Sequence, residues 1–313
     1  MVSIEEIQKK FKSVFSEINK VIVGQEEVIE HVIAALLCNG HAYIEGYPGL
    51  AKTTMIKTLA NVMDLKFSRI QGTPDLLPSD ITGTYVIDES KGKKEFKFQH
   101  GPIFANIVLV DEVNRATPKT HSAILEAMQE KQVTVGGTTY KLEEPFFFLA
   151  TGNPIEQEAV FKLSEAQVDR FLFKIKINYP KFEEELQMVD RFVENSFEDI
   201  KLRKIFTSDE LVKMQHLVRN VPIANDIKKY AVELVASTRE KKNLIEYGAS
   251  PRASLSLVLA AKARALMHGR KFVSKEDVQT MAYPVLRHRI ILSFESERQG
   301  MNEDDVIKSL IKR

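Results

Sequence analysis

The chain has 313 residues, which is long for one compact domain and short for three, so its length predicts two domains. Its 44 basic residues nearly balance its 43 acidic residues, and this balance excludes a global electrostatic attraction to nucleic acid or to an anionic membrane. A single cysteine, Cys38, excludes an internal disulfide bond, and the chain carries neither an apolar run of about 18 residues nor a signal-like N-terminus, so we expect a cytoplasmic protein without an integral membrane segment.

Five short apolar runs predict strands in the first 180 residues: HAYIE at 41–45, KFSRI at 66–70, NIVLVDE at 106–112, PFFFLAT at 145–151 and FLFKIKI at 171–177. NIVLVDE and PFFFLAT are continuously apolar, which is typical of parallel strands covered on both faces. Helical patterns lie between most of the runs, including one that starts at Lys52 and one opened by Thr117-Pro118. This alternation predicts a doubly wound α/β sheet.

Two segments interrupt the alternation and predict β-hairpins. The first, at 82–99, turns around Ser90-Lys91-Gly92, and the second, at 132–142, turns at Gly136-Gly137. Both would be insertions into the sheet domain.

After Tyr179-Pro180 the sequence shows helical periodicity and no convincing strand. Helix caps are predicted at Ser208, at Ser250-Pro251, and at Ser274 with Asp277 three residues later. We therefore expect an α/β domain at 1–180 and a smaller all-α domain at 181–313.

The stretch EGYPGLAKTT at 45–54 nearly matches the phosphate-loop pattern G-x-x-x-x-G-K-[ST]. Gly46, Lys52 and Thr53 fit, whereas Ala51 stands where the second glycine belongs. The methyl group of Ala51 is harmless if its φ is negative, as we expect of a residue entering a helix, and costly if φ is positive. A glycine-rich turn that caps an ordinary helix is the alternative.

The predicted strand before this loop and the helix after it supply the context of a phosphate site. Backbone N–H groups at the start of the helix would bind phosphate oxygens. Lys52 would reach the β and γ phosphates, and the Thr53 hydroxyl would ligate Mg²⁺.

The run NIVLVDEVNR places two carboxylates, Asp111 and Glu112, at the end of a predicted buried strand. Ligands of doubly wound folds bind at this edge of the sheet, so Asp111 would hold Mg²⁺, directly or through water, and Glu112 would act as general base on the attacking water. An exposed acidic pair is the alternative, but the Lys-Thr loop 59 residues upstream argues against it.

Asn153 follows the buried strand PFFFLAT, so its amide would orient water or contact the γ phosphate. A turn asparagine before Pro154 is the alternative interpretation.

Two arginines lie near predicted helix ends. Ser164 and Gln167 predict a short capped helix that ends near Arg170. The helix dipole stabilises a cation at this end, so a purely structural role for Arg170 is the alternative. Arg252 falls in the first turn of the helix opened by GASP, where a cation opposes the dipole by roughly 0.3–1 kcal/mol. That local cost favours an arginine bound to phosphate over a plain surface arginine.

Taken together, VIVGQ at 21–25, EGYPGLAKT, GPIFANIVLVDEVNRA, ATGNP, EAQVDRF and GASPRA resemble the MoxR family of AAA+ ATPases, over about residues 18 to 300. The resemblance implies an AAA+ core with a helical lid, ATP and Mg²⁺ as cofactors, and homo-oligomeric rings, usually hexamers. It identifies 82–99 as the helix-2 insert and 132–142 as the pre-sensor-1 hairpin. Members resemble the magnesium chelatase ATPase subunit. They often act with von Willebrand factor A domain partners, which they are thought to remodel or mature, including metal-cofactor insertion.

The resemblance also implies roles for single residues. Asn153 matches sensor 1, Arg252 matches sensor 2, and Arg170 matches the arginine finger that acts on a neighbouring subunit's nucleotide, with Arg115 as a second candidate for that role. Gly24-Gln25 falls in the segment that packs near adenine. The loop residues implied to contact the nucleotide are Gly46, Pro48, Gly49, Leu50, Ala51, Lys52, Thr53 and Thr54.

Two positions test the resemblance. Alanine before the lysine is common in the family, so the resemblance identifies the stretch as a phosphate loop with the family's variant of the motif. Gly152 is a departure, because the family pattern ATQNP has glutamine there, and this departure puts the local geometry around Asn153 in doubt.

The resemblance favours ATP-driven remodelling of proteins. A nucleic-acid motor is the alternative, since related helicases grip DNA with such hairpins and four lysines of the first hairpin would reach phosphates, namely Lys91, Lys93, Lys94 and Lys97. Such lysines more often form a solvated hairpin tip, and no basic-aromatic interleaving accompanies them. A small-molecule P-loop kinase would leave the separate lid and its arginine unexplained.

Overall fold

The structure, a computed structural model, describes residues 3–88, 94–154, 161–194 and 200–312. Within these ranges no helix is both long enough and apolar enough to cross a membrane.

A five-stranded parallel sheet forms the centre of the N-terminal part, in the strand order β2-β5-β8-β1-β9. All five apolar runs predicted as strands belong to it, which confirms the doubly wound α/β fold. The strands in the described residues are β1 Ala42–Gly46, β2 Phe67–Gln71, β3 Gly83–Asp88, β4 Glu95–His100, β5 Ile107–Asp111, β6 Gln132–Val135, β7 Thr138–Lys141, β8 Phe147–Gly152, β9 Phe173–Ile177, β10 Ile245–Tyr247 and β11 Ile291–Leu292.

Helices cover both faces of this sheet and make up most of the C-terminal part. The helices in the described residues are α1 Ile4–Ile18, α2 Glu26–Leu37, α3 Lys52–Val62, α4 Pro78–Thr82, α5 Pro118–Glu130, α6 Glu165–Val168, α7 Phe182–Glu194, α8 Ser208–Asn220, α9 Asn225–Glu240, α10 Pro251–Met267, α11 Lys275–Leu286, α12 Phe294–Arg298 and α13 Glu303–Ile311.

Strand β5 shows why its sequence is continuously apolar. Ile107 and Leu109 point into the core shared with α1, α2 and α3, while Val108 and Val110 point into the core under α5. Successive side chains of a strand face opposite sides, so a strand covered on both faces needs apolar residues at every position. The first polar residue, Asp111, therefore comes where the strand reaches the edge of the sheet.

The two predicted hairpins are present as β3–β4 and β6–β7, and Gly136 and Gly137 both have positive φ at the turn of the second. The predicted turn Ser90-Lys91-Gly92 of the first lies outside the described residues. The hairpins pack against each other, because the Tyr85 and Tyr140 hydroxyls lie 2.8 Å apart and Phe98 stacks on Tyr140 with 4.2 Å between ring centroids.

The C-terminal part departs from the sequence predictions at two places. β10 and β11 form a short antiparallel pair where only helices were expected. Such short strands carry too few residues to show a period of two. Ser208 is the first residue of α8, and Thr207 is the cap, since its hydroxyl accepts from Glu210 N and the Glu210 carboxylate accepts from Thr207 N.

Asp169 joins the sheet domain to the C-terminal helices. Its carboxylate accepts from the buried Arg289 Nε at 2.8 Å and from the half-exposed Arg252 Nη1 at 2.7 Å. Arg289 also donates to the carbonyl oxygens of Leu172, Val285 and Phe171, so its guanidinium is surrounded by acceptors. Burial lowers the pKa of Arg289, and Asp169 opposes that shift.

Replacement of Arg289 should therefore cost far more than replacement of Arg252. Arg289→Met removes a buried cation and its hydrogen bonds to Asp169 and to three carbonyl oxygens, so we expect the free energy of unfolding to fall by about 3 kcal/mol. Arg252→Met, the matched control on the same carboxylate, should cost less than about 1 kcal/mol, because that arginine is solvated. Urea denaturation measures both values, and equal losses would contradict this account of the junction.

Candidate functional site

The loop between β1 and α3 carries the phosphate-loop pattern. Gly49 has φ of 82°, and Ala51, the residue before α3, has φ of 53° and ψ of 25°. The expectation of a negative φ at Ala51 is wrong, because the loop turns into α3 through a left-handed residue. An L-residue in this conformation costs roughly 1–2 kcal/mol, which explains the preference of the general pattern for glycine.

Two adjoining cavities open beside this loop. One, of about 360 Å³, lies at the carboxyl edge of the sheet and the other, of about 490 Å³, has a mainly apolar wall. The residues of the first are Pro48, Gly49, Leu50, Ala51, Lys52, Thr53, Thr54, Arg69, Gln71, Asp111, Glu112, Thr151, Gly152 and Asn153. The two cavities share the loop residues 48–51 and Thr54, so one elongated ligand can occupy both.

The buried carboxylate of Asp111 lies at the centre of the first cavity's floor. Its Oδ2 accepts from Thr53 Oγ1 at 3.1 Å and from Arg69 Nε at 2.7 Å, and its Oδ1 accepts from Thr151 Oγ1 at 2.9 Å. These partners come from α3, β2 and β8, so the carboxylate is fixed from three sides. The hydroxyl of Thr53 and the carboxylate of Asp111 supply the hard oxygen ligands that Mg²⁺ prefers.

Glu112 follows directly and has φ of 56°. Its N–H donates to Thr151 Oγ1 at 3.0 Å, and its Oε2 accepts from Gln71 Nε2 at 3.0 Å and lies 3.3 Å from Arg115 Nε. The left-handed backbone turns the carboxylate towards the cavity while the strand ends, and β2 and the turn Val113–Arg115 hold it there.

Lys52 and Asn153 line the same cavity. The ammonium group of Lys52 donates to Gly46 O at 2.6 Å and to Tyr47 O at 3.3 Å, so it lies in the bend of the loop. Because the first N–H groups of a helix have no partner within the helix, the start of α3 adds donors beside this cation. The cavity therefore offers donors and positive charge on one wall and carboxylates on the other.

Tyr43 explains why residue 152 is glycine. A Cβ atom built on Gly152 would lie 1.7 Å from the Tyr43 hydroxyl oxygen, so no larger residue fits beside this tyrosine. The hydroxyl also accepts a long hydrogen bond of 3.4 Å from Asn114 Nδ2, and burial raises the pKa of Tyr43 to about 12. The departure from ATQNP is therefore matched by a side chain on the neighbouring strand β1.

The second cavity contains the segment around Gly24-Gln25. Gln25 has φ of 59°, and its Nε2 donates to Asn178 O at 2.9 Å, while Gly24 lies against the Glu184 carboxylate. The sequence analysis did not identify the apolar wall of this cavity as site residues, although VIV lies directly before Gly24 and Tyr179-Pro180 lies shortly after β9. It consists of Val21, Ile22, Val23, Met55, Tyr179, Pro180 and Met188.

The sequence analysis also missed Arg69 and Gln71, which contact Asp111 and Glu112. Arg69 lies in the strand predicted at 66–70 and Gln71 directly after it, and their signal was two polar residues at alternate positions of β2.

The three candidate arginines lie in different places. Arg115 is beside Glu112, whereas Arg170 and Arg252 do not belong to the described residues that line the first cavity. Arg170 is exposed, and Arg252 pairs with Asp169, the residue that precedes Arg170. A single chain therefore brings together Lys52, Thr53, Asp111, Glu112 and Asn153 but leaves Arg170 and Arg252 elsewhere.

Comparison with known proteins agrees with this geometry. Residues 41–173 match the ATPase family associated with various cellular activities (AAA), and residues 237–310 match the AAA lid domain. The chain is 40% identical to chaperone MoxR1 of Mycobacterium tuberculosis over 304 residues, which cover 95% of this chain and 79% of that protein. The chain belongs to the MoxR family of AAA+ ATPases.

Two further relatives support this membership. The protein YeaC of Bacillus subtilis is 41% identical over 98% of this chain and 95% of its own length. The crystal structure of a Cytophaga hutchinsonii protein assigned as an ATPase has a TM-score of 0.90 and 41% identity, and covers 99% of this chain and 95% of that one. The MoxR resemblance found in the sequence is therefore confirmed.

The left-handed Ala51 generates a prediction about stability. Ala51→Gly removes the strain of a methyl group on a left-handed residue, but it also raises the conformational entropy of the unfolded chain. Because we expect the first effect to be larger, the free energy of unfolding should rise by about 0.5–1 kcal/mol. Ala236→Gly, in the middle of the regular helix α9, is the matched control and should lose about 1 kcal/mol. The same sign for both substitutions in urea denaturation would contradict the strain at Ala51.

Proposed function

We propose that this MoxR-family chain is a Mg²⁺-dependent ATPase that hydrolyses ATP to ADP and phosphate in order to remodel or mature partner proteins. The observation that carries the proposal is the convergence of Lys52, Thr53, Asp111, Glu112 and Asn153 on one cavity at the carboxyl edge of the sheet. Membership of an ATPase family and the chaperone name of a close relative support it.

The phosphate chain of ATP would lie in the first cavity. The N–H groups of the loop and of the first turn of α3 would bind phosphate oxygens, and Lys52 would exchange its carbonyl partners for the β and γ phosphates. The base and ribose would lie in the second cavity, whose apolar wall and Gln25 suit a flat ring with polar edges.

Thr53 and Asp111 would hold Mg²⁺ together with phosphate oxygens. No group of three or more His, Cys, Asp or Glu side chains in the described parts of the chain could hold a metal ion, so the nucleotide would have to complete its ligands. Bound Mg²⁺ would supply charge neutralisation at the β and γ phosphates. Its low number of protein ligands fits a metal that arrives with its nucleotide.

Glu112 and Asn153 would act on the attacking water. The Glu112 carboxylate would accept the proton of that water as its oxygen approaches the γ phosphorus. The Asn153 amide, in the same cavity, would orient the water or the phosphate.

Glu112→Gln should keep nucleotide affinity and lose turnover, because the amide has the same shape but cannot accept a proton. We expect ATP hydrolysis to fall about 10²–10⁴-fold, with ATP affinity unchanged in calorimetry. Glu143→Gln, an exposed carboxylate paired with Lys66 away from the cavity, is the control and should hydrolyse at the parental rate. Hydrolysis at the parental rate by Glu112→Gln would assign the base elsewhere.

The active form would be a homo-oligomeric ring, with the hexamer usual in the family as our expectation. One chain leaves Arg170 and Arg252 outside its own cavity, and Arg170 would act on the nucleotide of a neighbour, while Arg252 is held next to it through Asp169. The outer face of α7 supports a second copy as a partner. Its apolar residues Phe182, Leu186, Val189 and Val193 are each more than half exposed, while Glu185 and Met188 of the same helix line the second cavity.

A mixing experiment tests the shared site. Neither variant alone should turn over ATP. Lys52→Ala should bind ATP poorly, and Arg170→Ala should hydrolyse it slowly, since a finger arginine raises the rate of hydrolysis roughly 10³–10⁵-fold in other P-loop systems. Where the two variants alternate in a ring, one interface joins an intact Lys52 to an intact Arg170, so ATPase activity should partly return. If native mass spectrometry shows mixed oligomers and these stay inactive, the arginine that acts on the neighbouring subunit would be Arg115 instead.

The partner would be a protein, and by family expectation one with a von Willebrand factor A domain, with metal-cofactor insertion among the possible outcomes. The described part of the first hairpin favours polypeptide over nucleic acid. Ile87 and Phe96, paired across β3 and β4, are exposed at its outer end, and Lys97 lies 3.9 Å from Asp88. Lys94 remains on this hairpin, while Lys91 and Lys93 lie outside the described residues.

A further inference from the structure

Two side chains of β2 contact the two carboxylates at the end of β5. Arg69 and Gln71 are two residues apart and so share one face of the strand, which is paired in register with β5. Arg69 Nε donates to Asp111 Oδ2 at 2.7 Å, Arg69 Nη2 donates to Gln71 Oε1 at 2.9 Å, and Gln71 Nε2 donates to Glu112 Oε2 at 3.0 Å. One chain of hydrogen bonds therefore connects Asp111 to Glu112 through β2.

The guanidinium of Arg69 uses the same carboxylate oxygen that faces Thr53. Asp111 Oδ2 accepts from Thr53 Oγ1 and from Arg69 Nε, and Thr53 and Asp111 are the oxygen ligands assigned above to Mg²⁺. A divalent cation bound directly to that oxygen would lie within about 5 Å of the guanidinium, given a metal–oxygen distance of about 2.1 Å. At that distance two cations repel each other strongly in a partly buried site.

Arg69 is also able to move. Its side chain is about half exposed, whereas that of Asp111 is only 10% exposed and is held in addition by Thr151. The arginine therefore gives way more easily than the carboxylate. Arg69 lines the same cavity as Lys52, so a guanidinium released from Asp111 remains beside the position of the phosphates.

We propose that Arg69 is a positioning residue that holds Asp111 in place and is exchanged for the divalent cation when the nucleotide binds. This inference rests on the proposed nucleotide site. The exchange keeps the carboxylate paired, because it passes from the guanidinium to the metal while the half-exposed guanidinium turns to solvent. It also breaks the link through Gln71, so metal binding at Asp111 changes the hydrogen bonding of Glu112.

The test measures divalent-cation affinity rather than turnover. Mn²⁺, which takes the same oxygen ligands, is titrated into protein that carries bound ADP without excess nucleotide, because free ADP itself binds Mn²⁺, and the free Mn²⁺ is followed by electron paramagnetic resonance. In Arg69→Gln the cation no longer competes with a guanidinium, so the apparent Kd for Mn²⁺ should fall about 3- to 10-fold, as expected for loss of one partly exposed ion pair. Arg69→Lys keeps the positive charge and should stay near the parental value.

A matched control removes a charge from the other end of the same strand. Lys66 precedes β2 and pairs with Glu143, so Lys66→Gln should leave Mn²⁺ affinity unchanged. An unchanged or weaker affinity in Arg69→Gln, with the protein still folded by circular dichroism, would overturn the exchange. Failure of the parental chain to bind ADP at all would instead overturn the proposed nucleotide site, so the two results are distinguishable.

Discussion

The arrangement of the site depends on the hydrogen bonds that the buried carboxylate of Asp111 accepts. It ends the apolar strand β5 at the edge of the sheet and accepts hydrogen bonds from Thr53, Arg69 and Thr151. These residues belong to three other elements of the sheet domain, so one anion fixes the start of α3 relative to β2 and β8. A buried carboxylate is stable only when its oxygens are satisfied in this way. The same requirement brings the loop, the strand ends and the cavity into one geometry.

Three of the six non-glycine residues with positive φ in the described part of the chain lie at the two cavities. Gln25, Ala51 and Glu112 have left-handed backbones although none of them is glycine, and each lines one of the two cavities. Residues in this conformation persist only where the surrounding structure enforces it, and they often mark binding sites. Here each one turns the chain at the end or start of an element beside a cavity.

A second anion, Asp169, organises the boundary between the sheet domain and the C-terminal helices. Arg289 approaches it from the buried side and Arg252 from the exposed side. Arg170 is the next residue of the sheet domain and Arg252 belongs to α10, so both exposed arginines lie at this boundary. A change in the orientation of these helices would alter the contact of Arg252 with Asp169, the residue before Arg170. In the proposed ring, this contact would give a physical route from lid movement to a nucleotide held by an adjacent subunit.

Much of this protein could be read from short-range patterns in its sequence. The five sheet strands, the Gly-Gly hairpin, the phosphate loop and the placement of Asp111 and Glu112 at a strand end all follow from local periodicity and residue type, because burial on both faces leaves a continuous apolar run. The short helix capped by Ser164 was predicted for the same kind of reason, and Gln167 does accept from Ser164 N at 2.8 Å.

Contacts between distant residues were decided only by the tertiary structure. The pairing of Arg252 with Asp169 and the fit of Tyr43 against Gly152 depend on how elements pack, and no local pattern encodes them. Arg69 and Gln71 looked like ordinary polar ends of a strand until β2 paired with β5 in one register. A strand's own sequence fixes which of its side chains share a face, whereas the neighbouring strand and its register fix what that face meets.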